Sequence, residues 1–321
     1  EVRVHRLASH RLPGSQLVVS LNGLLRHWDQ KDIPWDPTNA KAFIADNIAQ
    51  GYEIYGYELG NEPGCWGSHG GNVPAQIHAQ DFGVLQGLLA DAYPDVSTRP
   101  LVLGPDTTGC GGANSSGDLR EILQGEPAWN VTTVHLYSVQ PNANASVFLK
   151  AAQENTMCTR AVTQLGWLKA SKLNGTRLWN GEGGESYLTT GGGGYLHQFG
   201  GALSLMNNLG CLPTVLADLP HCWYFLSVLD CDALSVILHG WCGCMQVGVE
   251  RLLKHDLFEN MFVMFHGNSA NTTARIQPYP PYWSAWLFKQ LVGTASVRMC
   301  TSALSSGRAV LTIRGTLCSC R

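Results

Sequence analysis

Short apolar runs alternate along the chain with longer stretches in which apolar residues recur every three or four positions. A short continuous apolar run is typical of a buried strand in a parallel sheet, and the longer spacing is typical of a helix. The predicted strands are Gln16 to Leu21, Ile54 to Leu59, Pro100 to Leu103, Val131 to Tyr137, Thr176 to Trp179 and part of Val247 to Phe258. The predicted helices are Asn39 to Ala49, Gln76 to Ala92 and Gly200 to Leu209. This alternation predicts a parallel α/β sheet or barrel.

The composition is that of a packed globular protein with few charges. Hydrophobic residues make up 45% of the 321 positions and charged residues 14%, against about 25% in typical proteins. Acidic residues exceed basic ones, and the net charge is −3. A nucleic-acid-binding protein normally carries a basic surface, so we expect no nucleic acid partner.

Cysteines and glycosylation signals bear on where the protein resides. The 11 cysteines are odd in number and contain no C-x-x-C pair, so the sequence predicts neither a zinc site nor a particular disulfide pairing. The N-x-S/T sequons stand at Asn114, Asn130, Asn144, Asn174 and Asn271. They favour a secretory route, and we expect a secreted glycoprotein of the extracellular matrix or the lysosome.

Two predicted strands end in a glutamate. Glu62 follows Asn61 in the segment GYELGNEP, and Glu182 lies in LWNGEGGESY. Catalytic residues of parallel barrels lie at the carboxyl ends of strands, and a retaining glycosidase needs two carboxylates about 5 to 5.5 Å apart. Two alternative assignments stay open. Glu58 faces the same side of its strand as Glu62, one step deeper, so it could be a paired interior carboxylate or the true acid. Glu185 could be the nucleophile, but we expect it in a loop beyond the strand.

Five segments together resemble the heparanase-like glycoside hydrolases of family 79. They are LVVSLNGLLR, GYELGNEP, VTTVHLY, LWNGEGGESY and PPYWSAWLFKQLVGT. Their order and spacing match the family over nearly the whole chain. Asn-Glu-Pro alone is shared by many retaining (β/α)8 glycosidases, whereas the combination with the last segment narrows the resemblance to this family.

The resemblance implies a (β/α)8 TIM barrel and a role for each candidate residue. Glu62, on the fourth strand, would be the acid/base and Glu182, on the seventh, the nucleophile, with no metal or organic cofactor. Asn61 would hydrogen-bond the substrate 2-hydroxyl.

Further substrate contacts are expected around these two glutamates. His135 and Tyr137 share one face of the sixth strand, so both can point into the barrel mouth. The resemblance implies that Tyr137 holds the nucleophile. It also implies that backbone N–H groups at Gly191 and Gly192 receive the carboxylate of a uronate.

Comparison with the family pattern predicts the domain organisation. Residues 1–294 would form a barrel that lacks its first two strands, with an atypical insertion at about 211–246. Residues 295–321 would begin a β-sandwich domain. A separate N-terminal segment would then complete the barrel, and the chain alone would be a fragment.

We therefore expect a β-glucuronidase or heparanase-type hydrolase that acts on a glucuronide or a glycosaminoglycan-type polysaccharide, with membrane association implied by the family. The cations noted near the site are Lys169, Lys172 and Arg177, few for a sulfated substrate, so a less sulfated glucuronide is an equal expectation. The alternatives are a catalytically inert heparanase-like fragment or glycan-binding protein, and a related enzyme for xylosides or iduronides. The exact glycan and endo or exo action stay open.

Overall fold

Six strands lie side by side in one sheet, in the order in which they occur along the chain. The computed structural model describes residues 16–26, 33–65, 72–110, 115–139, 146, 150–186, 199–211, 249–254, 265–266, 277–278, 283–284 and 287. The strands of this sheet are β1 (Val18–Leu21), β2 (Gly56–Leu59), β3 (Leu101–Thr107), β4 (Val131–Val139), β5 (Arg177–Ser186) and β6 (Val249–Lys254). The short strands β7 (Phe265–His266) and β8 (Gln277–Pro278) form an antiparallel pair.

Helices follow the strands of the main sheet. They are α1 (Thr38–Ala49), α2 (Ala75–Ala92), α3 (Leu119–Gln124), α4 (Ala151–Glu154), α5 (Thr156–Ala170) and α6 (Phe199–Cys211). The three helices given bounds from apolar spacing correspond to α1, α2 and α6, whereas α3, α4 and α5 lie in further segments between the predicted strands, for which no helix bounds were predicted.

The sheet is parallel where its register is defined. Val18 pairs with Gly56 and Leu21 with Leu59, and the pairs of β2 with β3 and of β3 with β4 run in the same sense. Parallel strands joined through helices are the repeating unit of α/β folds. The parallel α/β prediction is thus confirmed. The predicted insertion lies almost wholly outside the described residues, and the predicted β-sandwich lies entirely outside them.

Strand β3 is longer than predicted. The apolar run predicted an end at Leu103, and that boundary was wrong. The strand continues to Thr107, and its pairing with β4 shifts register between Pro105 and Thr107. Proline lacks an N–H, so an irregular place in the ladder accommodates it. The extension carries a further acidic residue to the carboxyl end of the sheet.

Helix α2 packs directly on β3. Its buried residues include Phe82, whose ring meets that of Trp129 edge-on at 4.9 Å between centroids. A Cβ on Gly104 would lie 2.3 Å from the Phe82 ring. Glycine at this position therefore lets the helix approach the strand closely enough to bury the aromatic ring.

The contacts divide the chain into two units, one of residues 1–136 with 163–182 and one of residues 137–162 with 183–321. In the first unit, Leu103, Val131 and Trp179 form a buried apolar cluster. In the second, Ser138 Oγ donates a 2.8 Å hydrogen bond to Asn208 Oδ1. Within the described part of the chain, no helix combines the length and the apolar character needed to span a membrane.

Candidate active site

Two glutamates predicted as catalytic lie side by side in the first unit. Glu62 follows the end of β2 by three residues, and Glu182 lies on β5. One carboxylate oxygen of each, together with a ring nitrogen of His135, forms a group whose atoms all lie within 4.8 Å of one another. The side chains of Glu62 and Glu182 are 18% and 24% exposed, so both carboxylates reach solvent.

His135 lies behind these carboxylates, with 1% of its side chain exposed. Its Nδ1 is 2.7 Å from Glu62 Oε1 and 3.7 Å from Glu182 Oε2. Its Nε2 is 2.6 Å from Asp106 Oδ1. Both ring nitrogens thus face carboxylates of the protein, and the expected contact of His135 with substrate stays a prediction.

The surroundings of His135 favour its charged form. Burial lowers the pKa of the imidazole, but the charge of Asp106 and the hydrogen bonds that the ring donates to Asp106 and Glu62 outweigh burial. The charge of Glu182 acts in the same direction, and together these groups raise the pKa of His135 to about 10. Below that pH the imidazolium carries a proton on each nitrogen, so Nδ1–H donates to Glu62 and Nε2–H donates to Asp106.

Asp106 is the site residue that the sequence analysis missed. Its backbone N–H donates to Thr133 Oγ1 at 3.0 Å, and its carbonyl oxygen accepts the Glu62 N–H at 2.9 Å. Both Asp106 (φ 56°) and Glu62 (φ 47°) have left-handed backbone conformations, which cost on the order of 1 kcal/mol each. The available signal was an acidic residue three positions after the predicted strand end at Leu103.

Glu58 is a third carboxyl group near His135. Burial, followed by the charges of Asp106 and Glu182, raises the pKa of Glu58 well above its usual range, although the charge of His135 opposes them. These surroundings favour the neutral form of Glu58, which lies on β2, four residues before Glu62.

Other predicted residues have mixed outcomes. Asn61 is exposed beside Glu62, and Tyr137 is buried on β4 two residues after His135. Gly191 and Gly192 lie outside the described residues. The roles assigned to these four residues stay predictions.

The position expected for Glu185 was wrong. Strand β5 continues to Ser186, so Glu185 belongs to the strand rather than to a loop beyond it. We expected a loop because Glu185 lies beyond the predicted strand end, but glycine also adopts extended backbone conformations, and the strand continues through the two glycines before Glu185.

A disulfide joins the loops that carry Glu62 and follow Asp106. Cys65 and Cys110 are bonded, with their Cα atoms 5.1 Å apart. The N–H of Cys65 also donates to the Glu62 carbonyl oxygen at 2.8 Å. The segment after β2 is thereby held against the segment after β3. Cys158 is disulfide-bonded as well.

The three cations noted from the sequence are separated from Glu62 and Glu182 along the chain. Lys169 is in the last turn of α5, Lys172 follows that helix and pairs with Glu126, and Arg177 begins β5. Arg177 precedes Glu182 by five residues, or about 17 Å of extended strand. The three cations therefore belong to the amino end of β5, and our expectation that they lie near the site was wrong.

The group of Glu62, His135 and Glu182 also has atoms spaced closely enough for a metal ion. A histidine binds metal through the lone pair of a neutral ring. The raised pKa of His135 favours the protonated ring, whose proton a metal ion would have to displace, and both ring nitrogens already lie within hydrogen-bonding distance of carboxylates. We therefore interpret the cluster as an acid–base site.

The chain is similar to known glycoside hydrolases. The family model "Glycosyl hydrolase family 79, N-terminal domain" matches residues 8–210. The chain is 29% identical over 293 residues to heparanase-like protein 3 of Arabidopsis thaliana, covering 89% of this chain and 46% of the relative. It is 25% identical over 298 residues to heparanase of Gallus gallus, covering 91% and 47%. The chain thus spans about half the length of these relatives.

Two further proteins extend the comparison. Baicalin-beta-D-glucuronidase of Scutellaria baicalensis is 28% identical over 181 residues, covering 55% of this chain and 33% of the relative. Among solved structures, a 4-O-alpha-L-rhamnosyl-beta-D-glucuronidase from Fusarium oxysporum matches with a TM-score of 0.55 and 13% identity, covering 92% of this chain and 53% of that chain. At this identity the structural match shows a shared fold.

Proposed function

Because the chain belongs to glycosyl hydrolase family 79, we propose that it cleaves β-linked glucuronides by a retaining double displacement. The observation that supports this proposal is the close approach of Glu62 and Glu182: one carboxylate oxygen of Glu62 lies within 4.8 Å of one carboxylate oxygen of Glu182. Retaining enzymes place their carboxyl groups about 5 to 5.5 Å apart, whereas inverting enzymes leave about 6.5 to 9.5 Å for a water molecule.

In the first step the Glu182 carboxylate attacks the anomeric carbon, and Glu62 gives its proton to the glycosidic oxygen. The bond between that carbon and that oxygen breaks, its electron pair stays on the oxygen, and the aglycone leaves as an alcohol. The sugar is then esterified to Glu182.

In the second step Glu62 accepts a proton from water while the water oxygen attacks the anomeric carbon. The ester bond breaks, Glu182 regains its carboxylate, and Glu62 is protonated again. The net reaction consumes one water molecule, and the configuration at the anomeric carbon is retained after two inversions.

A uronate is the proposed substrate class because the family relatives include a heparanase and a glucuronidase by name. Among the described residues, those that surround His135 are acidic, and the cations considered above belong to the other end of β5. This distribution favours a glucuronide with few sulfate groups over a heavily sulfated one.

The decisive experiment traps the glycosyl-enzyme. A 2-deoxy-2-fluoro β-glucuronide with an activated leaving group should inactivate the full chain and label Glu182, as located by peptide mass spectrometry. An aryl β-glucuronide should be hydrolysed faster than the matching β-glucoside and β-xyloside. Glu185→Gln is the matched control, since it changes a glutamate of the same strand and should still be labelled at Glu182.

Other outcomes would contradict specific parts of this proposal. A label on Glu58 or Glu185 would overturn the nucleophile assignment. Faster turnover of the β-glucoside or the β-xyloside would overturn the proposal that the substrate is a uronate. Binding of glucuronides without labelling or turnover would favour the inert glycan-binding alternative.

A further inference from the structure

Asp106 and His135 have no part in a mechanism that needs only two carboxylates, yet they contact Glu62 by two routes. The Asp106 carbonyl accepts the Glu62 N–H at 2.9 Å, which fixes the backbone. The Asp106 carboxylate binds His135 Nε2 at 2.6 Å, and His135 Nδ1 binds Glu62 Oε1 at 2.7 Å, which fixes the side chain. One aspartate thus holds both ends of the residue that must exchange a proton with substrate.

The two oxygens of Glu62 are consequently not equivalent. His135 Nδ1 lies on Oε1, so a proton carried by the Glu62 carboxyl belongs on the other oxygen, Oε2. Resting on the function proposed above, we propose that Asp106, acting through His135, is the positioning residue that reserves Oε2 of Glu62 for proton transfer with the glycosidic oxygen and with water.

The proton transfers of the double displacement then have a defined atom. In the first step the Oε2–H bond breaks and an O–H bond forms on the leaving oxygen. In the second, water gives its proton to Oε2. His135 keeps both of its protons throughout and donates to Oε1 and to Asp106, so no additional acid, base or oxidant is needed.

The packing around Asp106 leaves it little freedom to move. A Cβ on Gly181 would lie 2.9 Å from Asp106 Oδ1, the same oxygen that accepts from His135, and 3.3 Å from Thr133 Cβ. Gly181→Ala should therefore displace this oxygen without removing the carboxylate. This second variant tests the contact between Asp106 and His135 while the Asp106 side chain is kept.

The first arm of the test needs no activity. Histidine ring ¹⁵N–¹H spectra of the full chain near neutral pH should show both ring N–H protons of His135, assigned through their loss in His135→Gln. In Asp106→Asn the Nε2–H signal should disappear and the ring should become neutral, and Gly181→Ala should shift the same signal. Unchanged His135 signals in both variants would overturn the proposal.

The second arm compares an activated 4-nitrophenyl glucuronide with methyl glucuronide, whose leaving group needs an acid. General acid catalysis typically contributes about 10²- to 10⁴-fold, so Asp106→Asn should lose about 10²-fold in kcat/KM on the methyl substrate and only about 5-fold on the aryl one. Asp81→Asn, which alters a buried carboxylate elsewhere in the same unit, should leave the ratio of the two rates unchanged. Equal losses on both substrates in Asp106→Asn would reduce Asp106 to a structural role.

The two arms separate this proposal from the one on which it rests. A wild-type chain that hydrolyses no glycoside would refute the proposed function while the spectra still report whether Asp106 fixes His135. Full activity with normal labelling of Glu182, but an unchanged leaving-group ratio in Asp106→Asn and Gly181→Ala, would refute the positioning role alone.

Discussion

Among the described residues of the first unit, two buried charged clusters differ in what they leave accessible. In the first, Arg26 binds Asp81 Oδ2 at 2.5 Å and donates to the Ile33 carbonyl oxygen at 2.8 Å, while Asp81 Oδ1 accepts the Trp35 N–H at 2.9 Å. The side chains of Arg26 and Asp81 are 3% and 1% exposed. This cluster fastens the loop after β1 to helix α2 and offers no reactive group to solvent.

The second cluster surrounds His135 and is open on one side, because Glu62 and Glu182 reach solvent. Its cation is a histidine whose charge depends on its partners. His78, beside the first cluster, behaves in the opposite way: burial is the largest influence and lowers the pKa of His78. A buried ion pair is thus weak evidence for function, and accessible carboxylates held by a titratable cation are the distinguishing feature.

The largest contrast should come from removing one carboxylate from each cluster. Glu62→Ala should lower kcat/KM on methyl glucuronide by about 10³-fold, because the acid is lost, with little change in the melting temperature. Asp81→Ala should lower the free energy of unfolding by about 3 to 5 kcal/mol, because Arg26 is left buried without its partner. Rates per folded molecule and urea unfolding curves measure the two effects.

Added azide sharpens this contrast. It should restore turnover of an aryl glucuronide by Glu62→Ala, since an anion can replace the missing base in the second step. A Glu62→Ala protein that melts early and keeps its rate, or an Asp81→Ala protein that is stable but inactive, would erase the distinction between the two clusters.

The disulfide provides the next contrast, since it is attached to the active-site cluster alone. Replacing Cys65 and Cys110 together by alanine should lower the free energy of unfolding by about 3 kcal/mol. Hydrogen exchange should accelerate at the Glu62 and Cys65 amides, which the loop contacts protect. The Trp35 amide, held by Asp81, is the internal control, and equal acceleration there would show that the disulfide acts on the whole unit.

The sequence was sufficient to predict the alternating strands and helices because their apolar spacing reflects burial directly. It also indicated Glu62 and Glu182 as candidate catalytic residues, since a polar residue that follows a buried strand can be recognised from the sequence alone. Asp106 was missed because Gly104 and Pro105 normally end a strand, and only the register shift with β4 shows how the strand continues.

Pairings between distant residues could not be predicted for a related reason. Cys65 joins Cys110 and His135 joins Asp106 because neighbouring strands bring their carboxyl ends together, which spacing along the chain does not encode. The two histidines illustrate the same limit. The sequence predicts a helix around His78 and a strand around His135, but the groups that face each ring decide its charge.

The pH dependence of stability should separate these two histidines. His135 has a folded-state pKa near 10, above the value of about 6.5 in an unfolded chain, so its contribution is complete below about pH 6.5 and is lost as the pH rises through about 10. Its partners are Glu58, Glu62, Asp106 and Glu182. The stability advantage of the wild type over His135→Gln should therefore shrink over that window by at most about 5 kcal/mol, the linkage value for a pKa shift of this size.

His78 should act in the opposite window. Its lowered pKa means that the unfolded chain binds the proton more readily, so the wild type should lose stability relative to His78→Gln as the pH falls below about 6.5. Urea unfolding of the three proteins between about pH 5 and 10 measures both effects. If the free energy of unfolding of the wild type and of one variant changed with pH in the same way, the histidine replaced in that variant would not contribute to the pH dependence of stability.

The smallest effect concerns Glu58, the buried carboxyl group of the active-site cluster. Its raised pKa means that the folded protein holds a proton on this carboxyl more readily than the unfolded chain does, which opposes folding as the pH rises above about 4.3; Glu58→Gln removes this effect. The variant should be about 1 kcal/mol more stable than the wild type near pH 7, and the gain should vanish near pH 4, where the unfolded chain is protonated as well. Glu126→Gln, which alters an exposed ion pair with Lys172, should change stability by less than about 0.5 kcal/mol at either pH. Glu58→Gln also tests Glu58 as the alternative acid. A loss of activity on methyl glucuronide as large as that of Glu62→Ala would assign general acid catalysis to Glu58.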